Sequence, residues 1–187
     1  MLAWTAFEVL ASDLWVAAVN LQPNPLAVRF SQSLQDKAQG KSVTVSSLAA
    51  YGDHDFNLSN LMGEVLRDKA DFASLQTTRA AYERTFGTDV PAFTSPNLRL
   101  LELVRNLILH KAGIVDSVFL KALRDKAIKV SHPDLSTLEG GQQLPITRSL
   151  AAALIDSAVD SGIAIMEFVL NHFWPPNDHK KPSNSSE

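Results

Sequence analysis

A chain of 187 residues, 45% hydrophobic and 20% charged, has the length of one domain and ample apolar material for its core. It contains no cysteine, which excludes disulfides and thiolate metal sites and removes the usual mark of a secreted protein. A net charge of −3 gives no support to a protein that coats nucleic acid along its whole surface.

The segment from Ala3 to Asn20 reads as a helix that is apolar nearly all round (Trp4, Phe7, Leu10, Leu14, Trp15, Val16) and therefore largely buried. Glu8 and Asp13 interrupt it and no basic region leads it, so it makes a poor signal peptide. Pro23 and Pro25 stop it. A short helix is predicted over 26–38, then a loop around Gly40, weak strand character over 42–46, and a second short helix ending before Gly52. Two further helices are predicted over 56–69 and 71–86, closed by Gly87 and Pro91.

Ser95 followed by Pro96 opens the next helix with a capping hydroxyl and a proline in the first turn; it runs to Lys111 and ends at Gly113. Asp116 caps a shorter helix predicted to reach Lys129. The stretch 130–145, with Gly140 and Gly141 at its middle, reads as a small hairpin or an ordered loop. A last helix runs from about Pro145 to Phe173, predicted to bury Leu150, Leu154, Ile163, Met166 and Leu170 and to turn Asp156, Asp160, Glu167 and Asn171 to solvent. Those carboxylates are too many for an uncomplicated membrane span, so no membrane contact and a cytoplasmic location are expected. Small residues between Ala151 and Ala164 permit close helix approach, in a tight bundle or a dimer seam. The expected architecture is all-α, one helical domain over 1–174 with a disordered polar tail over 175–187.

The helix over 96–111 carries the chemistry. On a wheel of about 100° per residue, Leu100, Leu101, Leu103, Val104, Leu107 and Ile108 share one side. Arg99, Glu102, Arg105, Asn106 and His110 share the other, with Leu98 and Leu109 intruding. Asn106 stands four residues before His110, a spacing at which its amide can orient the imidazole. Arginine beside histidine suits phosphodiester chemistry: the imidazole moves a proton to or from a ribose or leaving oxygen, and the guanidinium holds the phosphate. A second histidine, as a two-fold dimer would bring, completes acid–base catalysis.

R-N-L-I-L-H from 105 to 110, continued by K-A-G-I-V-D to 116 and a helix starting S-V-F-L, resembles the HEPN superfamily, whose pattern is arginine, a polar residue, then histidine four to six positions on. The resemblance is close over 93–130; beyond that it is an order of helices. It implies a bundle of four or five main helices and, in active members, metal-independent RNA cleavage at a composite site between two protomers, without a cofactor. Many such members belong to toxin–antitoxin or antiviral defence systems, so RNA, a second copy of the chain and an antitoxin or other regulatory protein are the expected partners. The resemblance makes Arg105, Asn106 and His110 the catalytic set. Some members are non-catalytic, and a nucleotide-, RNA- or protein-binding module is the alternative.

The charge distribution bears on that substrate. Residues 105–129 carry six cations against Asp116 and Asp125, a local +4 that leaves −7 for the rest. Lys111, Lys121, Arg124 and Lys129 are the expected RNA-binding cations. Glu8, on one stripe with Trp4 and Trp15, is a secondary site candidate whose carboxyl should be raised by apolar surroundings or paired with a cation from another helix; Glu102 is the other. Asp53-His54-Asp55 looks like a metal-binding tripeptide, but neighbouring side chains diverge, and a helix cap explains it better. His132 and His172 have no partner visible in sequence, and no glycine-rich phosphate loop, nucleophile elbow or HExxH is present.

Overall fold

A computed structural model describes residues 2–35, 58–125 and 132–174, and seven α-helices account for most of these described residues. They are α1 (Leu2–Leu21), α2 (Pro23–Gln35), α3 (Met62–Arg67), α4 (Leu75–Phe86), α5 (Pro96–Lys111), α6 (Ser117–Leu123) and α7 (Arg148–Phe173). Among the described residues there is no strand, so the all-α class holds. The expected features over 36–57, the Asp53-His54-Asp55 tripeptide included, and the expected tail lie outside the described residues.

α1 is the central post. It buries Trp4, Phe7, Ala11, Trp15, Val16, Ala18 and Val19, and the Trp15 indole N–H donates to Thr85 Oγ1 on α4 at 2.7 Å. The Tyr82 hydroxyl of α4 donates to the Ala11 carbonyl at 2.7 Å, and burial pushes its phenol far up from the usual value. α1 is also long and apolar enough to cross a membrane by length and composition alone. Pro23 does not leave a gap after α1 as expected; it starts α2, because proline at a first helical turn has no N–H to lose. α3 lies against α1 so closely that a Cβ on Gly63 would stand 2.3 Å from the Val16 carbonyl oxygen, and the Gly63 N–H donates to Asn20 Oδ1 at 2.7 Å.

α5 begins and ends where the sequence puts it. Ser95 caps it through the Leu98 N–H, Pro96 fills its first turn, and Ala112 and Gly113 close it at φ 50° and 78°. Past the turn, the described part of 130–145, expected as a small hairpin or an ordered loop, makes no hairpin of its own. Instead Gly113 to Val115 pair with Gly141 to Leu144: Val115 N–H donates to Gln142 O, Gly141 N–H to Val115 O, and Leu144 N–H to Gly113 O, all at 2.8–2.9 Å. The connector is thus latched to the end of α5 rather than folded on itself, and its 133–135 turn and Leu135, Leu138 and Leu144 anchor it to the core.

α7 departs from its predicted register. Leu150 and Leu154 are buried as expected, but Ile163, Met166 and Leu170 are exposed, and the buried line continues through Ser157, Ala158, Ser161, Gly162, Ile165 and Val169. α7 packs along α1 and α5, and small residues let those backbones approach. The bulky stripe is left outside.

Candidate functional site

The C-terminal half of α5 carries Arg105 and Asn106, both half-buried, and His110 and Lys111, both exposed. Five residues, about 140° of rotation round the helix, separate Arg105 from His110: Arg105 faces toward Glu8 of α1 and does not line the depression at His110. The expected contact between Asn106 and His110 is not made. The Asn106 Oδ1 accepts from Arg105 Nη1 at 2.8 Å, so the amide fixes the guanidinium and leaves the imidazole without a hydrogen bond among the described residues. Asn106, His110 and Lys111 border a shallow depression of about 200 Å³ completed by Asp116, Val118 and Phe119 at the start of α6. His110 and Lys111 occupy the last turn of α5, where cations complement the carbonyl end of the helix.

Arg105 makes no ion pair within contact distance among the described residues, and its charge acts on the Glu8 carboxyl of α1. The half-buried Glu8 carboxyl is raised above its ordinary value by desolvation. The Arg105 charge works against that rise, as does the Trp4 indole N–H, which is buried without a normal hydrogen bond; the Asp71 charge adds to it. Glu8 is therefore an acid set beside the guanidinium, in its field and not clasped to it.

Glu102 is a different matter. The wheel put it on the polar side, yet it is 3% exposed. Its Oε1 accepts from the Leu75 N–H at 2.9 Å and its other oxygen is held by Arg99. It satisfies an orphan donor at the N-terminus of α4, where a carboxylate also complements the helix dipole. Its role is structural, and it is removed from the site set. Leu98, which the wheel set among the polar residues, is likewise fully buried.

The cations divide between two places. Lys111 stands at the His110 depression, while exposed Lys121 and Arg124 border a broad hollow with Ser117, Leu120 and Asp125 on α6. Lys129 lies outside the described residues. Among the described residues no group of three or more histidine, aspartate or glutamate side chains is placed to hold a metal.

One cluster escaped the sequence reading. His132, Asp134, Thr147 and Ser149 meet where the connector joins α7: His132 Nε2 is 3.4 Å from Ser149 Oγ and Nδ1 is 3.6 Å from Asp134 Oδ2. The residue types match a serine–histidine–aspartate triad, but the proton placement does not. Nδ1 accepts from the Asp134 backbone N–H at 3.3 Å, which puts the neutral ring's proton on Nε2 and leaves no lone pair to activate the serine. Asp134 is moreover occupied by the Thr147 hydroxyl, the cap of α7. This cluster ties the connector down.

What the fold and site define is an all-α bundle presenting arginine, asparagine and histidine on one helix end. No family model matches the chain, and neither does any curated protein or solved structure.

Proposed function

We propose that the chain is a metal-independent endoribonuclease of the HEPN type, working as a homodimer in toxin–antitoxin or antiviral defence. The observation that carries the reading is the state of the two key side chains: Arg105 is steadied by Asn106 with no carboxylate clasping it, and His110 stands exposed five residues further along the same helix. A guanidinium with free donors can take a phosphate, and a solvent-facing imidazole can reach a ribose.

In the reaction, His110 takes the proton of a ribose 2′-hydroxyl and the 2′-oxygen bonds to phosphorus. Arg105 stabilises the charge that develops on the phosphoryl oxygens. The bond from phosphorus to the 5′-oxygen breaks, and the imidazole of a second copy protonates the leaving oxygen. The products are a 2′,3′-cyclic phosphate and a 5′-hydroxyl. Lys111, Lys121 and Arg124 guide the strand, so binding weakens with salt.

The test is cleavage of mixed structured and single-stranded RNA in EDTA by wild type and His110→Ala. Cutting by wild type alone supports the assignment; equal cutting by both refutes it. One observation favours a second reading, a non-catalytic RNA- or protein-binding module: no hydrogen bond orients the His110 ring among the described residues. RNA binding by folded wild type with no cutting of any substrate would select that module.

A further inference from the structure

Ile155, Val159, Ile163, Met166 and Leu170 recur at intervals of four, four, three and four, and all five are exposed, Val159 at 54% and Leu170 at 53%. They form one apolar stripe along α7. Between this stripe and α1 runs a trough of about 310 Å³ walled by Ala3, Ala6, Leu10, Val159, Ile163 and Met166. Its floor is tight: a Cβ on Gly162 would sit 3.0 Å from Leu10 Cδ2. A contiguous apolar surface of this kind on an otherwise polar exterior marks an interaction site.

The flank of the stripe that lies away from α1 is acidic. Asp156, Asp160 and Glu167 are exposed on α7, and none makes an ion pair among the described residues. No lysine or arginine occurs in the sequence between Arg148 and Trp174, and none before Arg29, so neither wall of the trough supplies a cation beyond Arg148 at the first residue of α7. A second copy docked here with the two stripes antiparallel would set one acidic flank against the other, and an anionic lipid surface would be repelled in the same way.

We propose that the trough between α1 and α7 is the docking site for a cationic amphipathic helix of a partner protein. Apolar residues of that helix at i, i+4 and i+7 lie along the Ile155–Leu170 stripe, and lysines or arginines on the flank away from α1 meet Asp156, Asp160 and Glu167. The stripe spans about 22 Å at 1.5 Å per residue, which matches a partner helix of about four turns. The surface is separate from the depression at His110, so the proposal stands independently of RNA cleavage.

The probe is a displayed library of 20-residue helices with a fixed leucine stripe and flanks randomised among Lys, Arg, Glu and Asp, selected against the full chain. Enrichment of Lys and Arg flanks is expected, with binding of the selected helices weakened at least tenfold by Val159→Asp. The double reversal Asp156→Lys, Asp160→Lys should turn the preference toward acidic flanks. Both sets of substitutions lie at exposed positions, and circular dichroism and RNA cleavage should match wild type. Enrichment of acidic or neutral flanks, no enrichment, or binding that survives Val159→Asp would overturn the proposal. So would sedimentation showing that Val159→Asp splits a homodimer, or its abolishing adsorption of the chain to anionic vesicles.

Discussion

Two glutamates that the helical wheels treat alike have opposite fates, and the difference is measurable. Glu102 is bonded to the Leu75 N–H and to Arg99 inside the bundle. Glu102→Ala removes the acceptor from a buried donor and should cost about 1–3 kcal/mol, while Glu102→Gln keeps an acceptor oxygen and costs less. The readout is thermal unfolding, where each kcal/mol corresponds to roughly 2–4 °C for a chain of this size. Glu8 is raised by desolvation, with Arg105 opposing. The folded state therefore holds its proton more tightly than the unfolded state. The resulting stability is complete below the ordinary carboxyl value of 4.5 and is lost as pH rises through the raised value. Glu8→Gln should accordingly be more stable than wild type at neutral pH, by about 0.5 kcal/mol or less, with the gap closing toward pH 4. A gap that widens on acidification would show Glu8 to be held as a paired carboxylate. His110→Ala, at an exposed position, should leave the unfolding midpoint nearly unchanged while RNA cleavage is lost.

At the scale of elements, both ends of α5 were legible, but α6 stops at Leu123 where Lys129 was expected, α3 covers only Met62–Arg67 of the helix expected over 56–69, and the packing faces were not legible. Ser95, Pro96 and Gly113 bracket α5 because capping and left-handed closure are local chemistry, written within a few residues. The face that α7 buries is a matter of what it packs against. Its sequence is apolar on two sides, and counting large residues favoured Ile163, Met166 and Leu170; the close approach to α1 favoured Ser157, Ala158, Ser161 and Gly162 instead. Glu102 was misplaced for a related reason, since its partner N–H is 27 residues away in sequence. The Arg105–Asn106–His110 set was found by its pattern, but which of its neighbours the Asn106 amide would choose was not in the pattern. The contact of α3 with α1 makes a prediction of its own. Gly63→Ala would drive a methyl into the Val16 backbone, which cannot give way as a side-chain tip can. The expected loss is about 2 kcal/mol or more, read as a lowered denaturation midpoint.

For the whole molecule, the proposed cleavage site and the proposed docking trough face different demands. The proposed composite site requires two chains, because the His110 imidazole of one protomer cannot be base and acid at once. Specific cleavage activity per chain should therefore fall on dilution below the dimer dissociation constant. Activity proportional to chain concentration down to the monomeric range would mean that one copy suffices. The acidic, apolar face of α1 and α7 and the cationic end of α5 and α6 also give the molecule a charge polarity that its net −3 conceals.

The latch between Gly113–Val115 and Gly141–Leu144 has a consequence for how such a protein can change over generations. It pins the two ends of the 116–140 excursion together at its base, beside His110 but on backbone bonds that depend on no side chain within the excursion. Closure entropy grows only slowly with length, so insertions or replacements there cost the rest of the bundle little, provided that the buried anchors Phe119, Leu135 and Leu138 are matched. Under the proposed function the excursion is a cassette: the candidate residues stay on α5 while the strip of surface beside them is free to be rewritten.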